Sequence, residues 1–396
     1  MTHLIEKANR YLLNTYKRPP MILDHGDGAY LFDTDGNRYL DFIAGIGVNA
    51  LGYNHPLIQE AIVESAQKVI HTSNLYFVEA QIELAELLVS KTFDSRVFFV
   101  NSGSEAVETA LKVSRKWGKQ FSPQRTKILA FEGSFHGRTF GAVSATYTEK
   151  YRKPFEPVVP GVVFLPFNNA DALDRLDFSE FCCAIVEPIQ GEGGITPATP
   201  EFLQKLRQKT SEEHVALIFD EIQCGVARSG KLYAYQHYGL EPDILTTAKA
   251  LGVGFPISAA LVKPKIADVI HVGDHGSTFG GNPFIAHIAV KAFERLSSDA
   301  FLNHVKKISA YFEARLLELK ARFPFVQEIK GMGLMRGLRV QVPVLDLVEA
   351  AFAHRLLVAR AGTDVLRFLP PLIIEQHHVD EATEILEKIF QKRSEK

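Results

Sequence analysis

Cysteine is scarce: Cys182, Cys183 and Cys224 are the only three in 396 residues. None sits in a C-x-x-C or Cys/His spacing, so neither a disulfide framework nor a zinc site is expected, and no metal ligands are assigned. The adjacent pair lies in the apolar run FCCAIVEP, where a strand would point Cys182 and Cys183 to opposite faces as small buried side chains. An excess of charge is also missing. Lys and Arg number 44 against 46 Asp and Glu, a formal net charge of −2 with both signs interspersed, which argues against nucleic acid as a partner. No run approaches the ~18 apolar residues of a membrane span. The first segment, MTHLIEKANRYLLNTYKRPP, lacks the apolar stretch of a secretion signal. No membrane partner is therefore expected, and the expected compartment is the cytoplasm. Low-complexity tracts and fixed-period repeats are absent as well, which excludes a solenoid.

What is present is a chain with 46% hydrophobic residues, long enough for one large and one smaller compact domain. Ile5 to Leu13 reads as an amphipathic helix stopped before Pro19-Pro20. Tyr30-Leu31-Phe32 and Tyr39-Leu40-Asp41-Phe42 read as a hairpin turning at Asp35-Gly36. From about residue 56, helical periods alternate with seven apolar runs: RVFFV, KILAF, VVFLPF, CCAIVEP, VALIFDE, DILTTAK and ISAALV. Apolar runs separated by helices predict an α/β fold with a mainly parallel sheet covered on both faces. The chain after about 284 is helix-rich with shorter strands. The expected division is an N-terminal segment (1–55) joining a small α+β domain (284–396), and a large domain between them (56–283).

Ligands of open α/β sheets sit beyond the C-terminal strand ends, so the polar residues after each run are the ones to weigh. NSGSEAVETALKVSRK opens a helix at Gly103 and Ser104, where backbone N–H groups could grip an anion; the plain alternative is an ordinary helix cap. FEGSFHGRT sets Phe135, His136 and Arg138 on a Gly-bounded turn. There the ring could cover a flat cofactor and the guanidinium could pair with a carboxylate, or the stretch is a surface turn with a core Phe. VALIFDEIQ ends in Asp220 and Glu221; a carboxylate there could hold a pyridine nitrogen protonated, with Gln223 reaching a ring oxygen, or it could simply cap a helix. Lys249 follows another run amid Ala, Leu and Gly, surroundings that favour the neutral amine needed for a Schiff base.

Three matches are decoys. GVARSGKL has Leu232 where a phosphate loop needs a hydroxyl. GMGLMRG is one residue too long for a dinucleotide fingerprint and reads as a turn into a strand. DTDGNRYLDF lacks the closing glutamate of a calcium loop.

NSGSEA, GSFHGRT, EPIQGEGG, FDEIQCG, AKALGVGFP and STFGGNP occur in this order. Together they resemble the class III, ornithine-type aminotransferases of fold type I, and the likeness runs from TYKRPP to LRFLPPL. The resemblance implies pyridoxal 5′-phosphate as cofactor. Lys249 then matches the Schiff-base lysine and proton shuttle, Asp220 the partner of the pyridine nitrogen, and Gln223 the ligand of the phenolic oxygen. Phe135 matches the stacking ring, and Gly103 with Ser104 the phosphate cradle. Thr278 resembles the threonine that reaches the neighbouring subunit's phosphate, which implies a homodimer with shared sites. Arg138 matches the clamp for the substrate's far carboxylate, and Arg367 the second clamp. Glu192 resembles the acid that neutralises Arg367 when the donor has no carboxylate near its reacting carbon, and releases it for 2-oxoglutarate.

Within the family the chain most resembles the members acting on acetylornithine in arginine biosynthesis. Ornithine-specific members carry a tyrosine near the position of Gly45, and glycine there leaves room for an acylated amine. Succinylornithine, the succinylated diaminopimelate precursor, ornithine and 4-aminobutyrate are the alternative donors. The chain departs from the family pattern at Val253, Ser258 and Ala227, where glycine is common. If those positions need a positive φ, the loops are strained.

Overall fold

The computed structural model describes residues 2–395, and all seven apolar runs become strands of one sheet. These are β4 (Arg96–Val100), β5 (Lys127–Phe131), β6 (Val162–Leu165), β7 (Phe181–Val186), β10 (Ala216–Asp220), β11 (Ile244–Thr247) and β12 (Ser258–Val262). Their order is β4-β12-β11-β10-β7-β5-β6. Every described pairing is parallel except those of β12, which runs against both its neighbours. The chain is thus α/β with the mainly parallel sheet expected.

Both faces of that sheet are dry, and the alternation along each strand shows why the runs carry almost no polar residue. Leu129, Phe131, Ala184, Val186, Leu217 and Phe219 join one apolar cluster. Ile128, Ala130, Cys183, Ile185, Ala216 and Ile218 join the other, beneath the helix Gly103–Gly118. The two adjacent cysteines break this alternation and correct the expectation of opposite faces. Lys127 faces Phe181 while Ile128 faces Cys183, so Cys182 is an extra residue in a bulge. The bulge turns both sulfurs into the same cluster, 3.9 Å apart.

Around this sheet lie three smaller ones. β1 (Leu23–Asp27), β2 (Tyr30–Asp33) and β3 (Arg38–Asp41) form the expected hairpin region, with Tyr30 opposite Leu40. Its turn is held by the Asp33 carboxylate, which accepts the N–H groups of Asp35 and Asn37. β8 (Ile189–Gln190) and β9 (Thr196–Pro197) are a short hairpin after β7. β13 (Val326–Met332) and β14 (Met335–Val340) turn at Gly333 and Leu334, so GMGLMRG is a hairpin. β15 (Leu356–Leu357) pairs with β3, while β16 (Ala359–Ala361) and β17 (Val365–Phe368) extend the β13–β14 sheet. The N-terminal segment and the chain after Ala353 therefore share a sheet. The helix Pro283–Leu296, by contrast, lies against the helices Pro56–Ala66 and Glu79–Lys91.

The decoy GVARSGKL also has a structural role. Arg228 is buried, and its Nη1 donates to the carbonyls of Leu334 and Pro370, joining this loop to the C-terminal segment. Burial brings its guanidinium down to about 9, against the pull of Asp41. Of the departures from glycine, Val253 (φ 43°) and Ala227 (φ 68°) do lie in the left-handed region, where each costs roughly 1–2 kcal/mol. Ser258 does not: it sits in β12, and its hydroxyl donates to the Ser102 carbonyl at 2.7 Å.

Phe312, in the helix Asp299–Arg322, packs edge-on against Phe42 at 5.7 Å and Phe368 at 5.6 Å. It clamps the end of β3 to β17. Phe312→Ala is expected to cost about 3–5 kcal/mol in chemical denaturation, the range for emptying a buried aromatic site. A loss below about 1 kcal/mol would show that the clamp is not formed.

Candidate active site

Five parallel strands, β4, β5, β7, β10 and β11, deliver their C-terminal ends to one cleft of 360 Å³, a size suited to a small molecule. Gly103, Ser104, Phe135, Glu192, Asp220, Gln223 and Lys249 all line it.

The N-terminus of the helix Gly103–Gly118 is fixed by a capping box. Ser102 Oγ accepts the Glu105 N–H, and Glu105 Oε2 accepts the Ser102 N–H. Capping thus falls to Ser102, not Ser104. The first N–H groups of a helix have no partner within it, so those of Gly103 and Ser104 are available to an anion in the cleft. Ser104 Oγ accepts the Arg138 N–H at 3.1 Å, which seats the 131–139 turn against this helix. Gly137 permits the approach: its φ is 130°, and a Cβ there would fall 2.2 Å from Ser104 Oγ.

Asp220 and Glu221 separate cleanly. Glu221 faces away from the cleft and accepts the N–H groups of Ala234 and Tyr235, a structural anchor. Asp220 faces the cleft, with Oδ2 2.7 Å from His136 Nδ1 and Oδ1 accepting the Thr246 hydroxyl at 3.3 Å. An ionised carboxylate only accepts, so the imidazole proton shared with it belongs to Nδ1. His136 Nε2 is buried without a hydrogen-bond partner among the described residues, as is Gln223 Oε1.

Lys249 follows β11 in a left-handed conformation, φ 45°, a strain typical of functional positions. Burial lowers its ammonium to about 8; Glu192 opposes the shift, Arg367 adds to it, and Asp220 and Glu187 oppose it. Glu192 and Arg367 form an ion pair, with the Arg367 side chain 5% exposed and that of Glu192 30%. Arg367 Nε is buried and unpartnered among the described residues.

Three of the sequence-selected residues, Arg367, Arg138 and Thr278, are not part of the cleft lining, Arg367 meeting it only through its pair with Glu192. Arg138 is exposed, with its guanidinium 3.5 Å from the centre of the Tyr151 ring and 5.5 Å from that of Phe135. Thr278 is exposed on the 271–281 segment. Two other residues were passed over. His136 was named only as part of its turn, and Glu187, which also lines the cleft, was given no role. Glu187 directly follows β7, and His136 lies in the turn after β5, so both sit in the polar segments beyond apolar strands that drew attention to Asp220.

The arrangement fits pyridoxal 5′-phosphate. It offers free helix N–H groups for a phosphate, a half-buried aromatic face, a buried carboxylate, a glutamine amide in the lining and an amine with a depressed pKa. A sheet of this topology with a lysine and an aspartate at adjacent strand ends defines a fold type I enzyme dependent on that cofactor. Residues 11–390 match the model of the family "Aminotransferase class-III", and the chain belongs to it. It is similar to the acetylornithine aminotransferase of Caldanaerobacter subterraneus, 44% identical over 98% of this chain and 99% of that one. Among solved structures it resembles the ornithine aminotransferase of Toxoplasma gondii: TM-score 0.95, 32% identity, 100% of this chain and 96% of the other. It also resembles the N-acetylornithine aminotransferase of Stenotrophomonas maltophilia: TM-score 0.86, 33% identity, 99% and 100%. The ornithine enzyme superposes better at nearly equal identity, but backbone superposition reports the path of the chain and not the chemistry of the donor pocket.

The depressed lysine has a consequence for the cofactor-free protein. Below about pH 8 the folded state holds a poorly solvated ammonium, and between about 8 and 10.5 the unfolded chain binds more proton than the folded one. Stability from this group therefore rises with pH across that window. The full shift corresponds to roughly 3 kcal/mol, and screening by water in the open cleft reduces it to about 1–2 kcal/mol. Without cofactor, Lys249→Met is expected to be more stable than wild type by that margin at pH 7, with the gap closing toward pH 10.5. A gap that widens with pH would contradict this.

Proposed function

We propose that the enzyme transfers the terminal amine of N2-acetyl-L-ornithine to 2-oxoglutarate, giving N-acetylglutamate 5-semialdehyde and L-glutamate, a step of arginine biosynthesis. The observation that carries this reading is the Glu192–Arg367 pair beside Lys249. A site for two ordinary 2-amino acids would need an arginine permanently free for their carboxylates. Here the arginine is closed by a carboxylate from the Gly-rich loop after β7, which suits a donor whose reacting carbon carries none.

When bound, pyridoxal 5′-phosphate supplies an aldehyde to capture amines and a ring that withdraws electrons from the carbon losing its proton. Gly103 and Ser104 would hold its phosphate by their N–H groups, and Phe135 would pack against its ring. Asp220, steadied by His136, would keep the ring nitrogen protonated, and the Gln223 amide N–H would donate to the ring oxygen. Lys249 Nζ takes the proton from the donor's terminal carbon and returns it on the acceptor side. With the donor in place, Glu192 neutralises Arg367 and spares the site an uncompensated cation. With 2-oxoglutarate, the pair opens and Arg367 grips the carboxylate next to the keto group, while Arg138 binds the far carboxylate.

The 44–48 loop supports the acylated donor. Gly45 carries no side chain in a stretch where Ala44, Gly45 and Ile46 all have positive φ (49°, 62° and 67°), and Val48 at the end of the loop lines the cleft. A homodimer belongs to this reading. Leu75, Tyr76, Phe77 and Phe279 are 78%, 70%, 96% and 61% exposed, and Asn74 donates to the Ser277 and Gly280 carbonyls. This apolar ledge beside Thr278 suits a second copy, across which Thr278 would reach the partner's phosphate. We place the enzyme in the cytoplasm; no helix of the described residues is long and apolar enough to cross a membrane.

Half-reactions followed by the cofactor's visible absorbance rank N-acetylornithine, succinylornithine, ornithine and 4-aminobutyrate directly. N-acetylornithine is expected to exceed ornithine and 4-aminobutyrate by at least tenfold in kcat/KM; a preference for either of those would overturn the assignment. Glu192→Gln, which leaves Arg367 uncompensated, is expected to weaken kcat/KM for the donor by at least tenfold while 2-oxoglutarate binds as well or better.

A further inference from the structure

Glu187 lines the cleft, yet the reaction as described gives it no part. Its side chain is 6% exposed and its two oxygens serve different loops. Oε1 accepts the Phe135 N–H at 2.9 Å, and Oε2 accepts the Gly191 N–H at 3.0 Å. One oxygen therefore holds the turn bearing the aromatic face, and the other holds the residue immediately before Glu192. The two loops are also seated against each other. Gln190 Nε2 donates to the Glu132 carbonyl at 2.8 Å, and a Cβ at Gly193 would fall 2.6 Å from the Gly133 carbonyl oxygen. Gly191 is equally confined, its absent Cβ lying 2.1 Å from Gln223 Oε1. Past Glu192 the loop is tied by the Gly362 N–H, which donates to the Glu192 carbonyl at 2.9 Å. Glu192 is thus suspended between two backbone anchors, and Glu187 supplies the one that also holds the Phe135 turn.

We propose that Glu187 is a positioning residue that holds the Glu192 loop in register with the Phe135 turn, keeping Glu192 on Arg367 and thereby setting the balance between donor and acceptor. This deepens the two-substrate reading above and rests on it. The chemistry is specific to an ionised carboxylate, which accepts at both oxygens. An amide, or a protonated carboxyl, accepts at one and turns a donor toward the other N–H. Burial raises Glu187 to about 7; His136 opposes the shift and Asp220 adds to it. The charged and titratable groups that face it are His136 and Asp220, which act on Glu187, and Lys249 and the Cys224 thiol, on which Glu187 acts. The double anchor is complete above about pH 7 and is lost as pH falls through that value.

The test is Glu187→Gln in the holoenzyme, with KM measured separately for N-acetylornithine and 2-oxoglutarate. Loosening the Glu192–Arg367 pair is expected to raise the donor KM about tenfold and to leave the acceptor KM unchanged or lower. Wild-type donor KM should also climb toward the variant's value as pH falls through about 7, while the variant stays flat there. Generalised damage raises both KM values together, and that result, or an unchanged ratio, overturns the proposal. Amide hydrogen exchange gives a readout independent of turnover. Gly191 and Phe135 N–H should be protected in the wild type, and Gly191 should exchange at least tenfold faster in Glu187→Gln. Fast exchange at Gly191 in the wild type overturns the proposal even if the variant does not fold. A wild type inactive with N-acetylornithine but protected at Gly191 would instead overturn only the choice of substrate.

Discussion

Two neighbouring parallel strands, β10 and β11, end side by side, one in Asp220 and the other two residues before Lys249. Their pairing, with Asp220 opposite Thr246, puts a carboxylate and an amine of opposite function into the same small cleft. Neither group could be placed there by a loop alone. The sheet is dry on both faces, so its strand ends are rigid and their side chains inherit that rigidity. His136 and Thr246 then take up the carboxylate's oxygens, fixing its direction. The remainder of the site is arranged around this pair: a helix N-terminus, an aromatic turn, and a carboxylate–guanidinium pair beside Lys249.

Charge in the cleft is balanced residue by residue. Lys249 is depressed by burial and by Arg367, and is supported by Glu192, Asp220 and Glu187. Moving Glu192 off Arg367 therefore changes the field at the amine as well as the grip on substrate. Local strain accompanies the arrangement. Lys249, Val253 and Ala227 all occupy left-handed backbone, where the large core holds them.

Much of this was legible in the chain. Each of the seven apolar runs became a strand because a strand buried on both faces must be apolar throughout, and that pattern survives without any partner in view. Their order in the sheet was not legible, since nothing in RVFFV says that it pairs with ISAALV. Lys249, Asp220, Gln223, Phe135, Gly103, Ser104 and Glu192 converge on the cleft because each directly follows a strand, opens a helix or lies in the loop after β7. Arg367 and Thr278 were chosen by resemblance, and they, like Arg138, which its turn had already suggested, lie outside the cleft lining of a single chain. The cysteine pair shows the limit of period-2 reasoning: a bulge depends on the partner strand's register and leaves no local signature. Glu187 and His136 were hidden differently. Their roles lie in hydrogen bonds to backbone groups and to another side chain, which only the folded loops bring into range.

Borohydride reduction of the holoenzyme followed by peptide mapping tests the central claim most directly. The expected result is one cofactor-derived mass increment per chain, carried by the peptide containing Lys249. An increment on any other lysine, or none on an enzyme that still turns over, would contradict the assignment of that amine and the mechanism built on it.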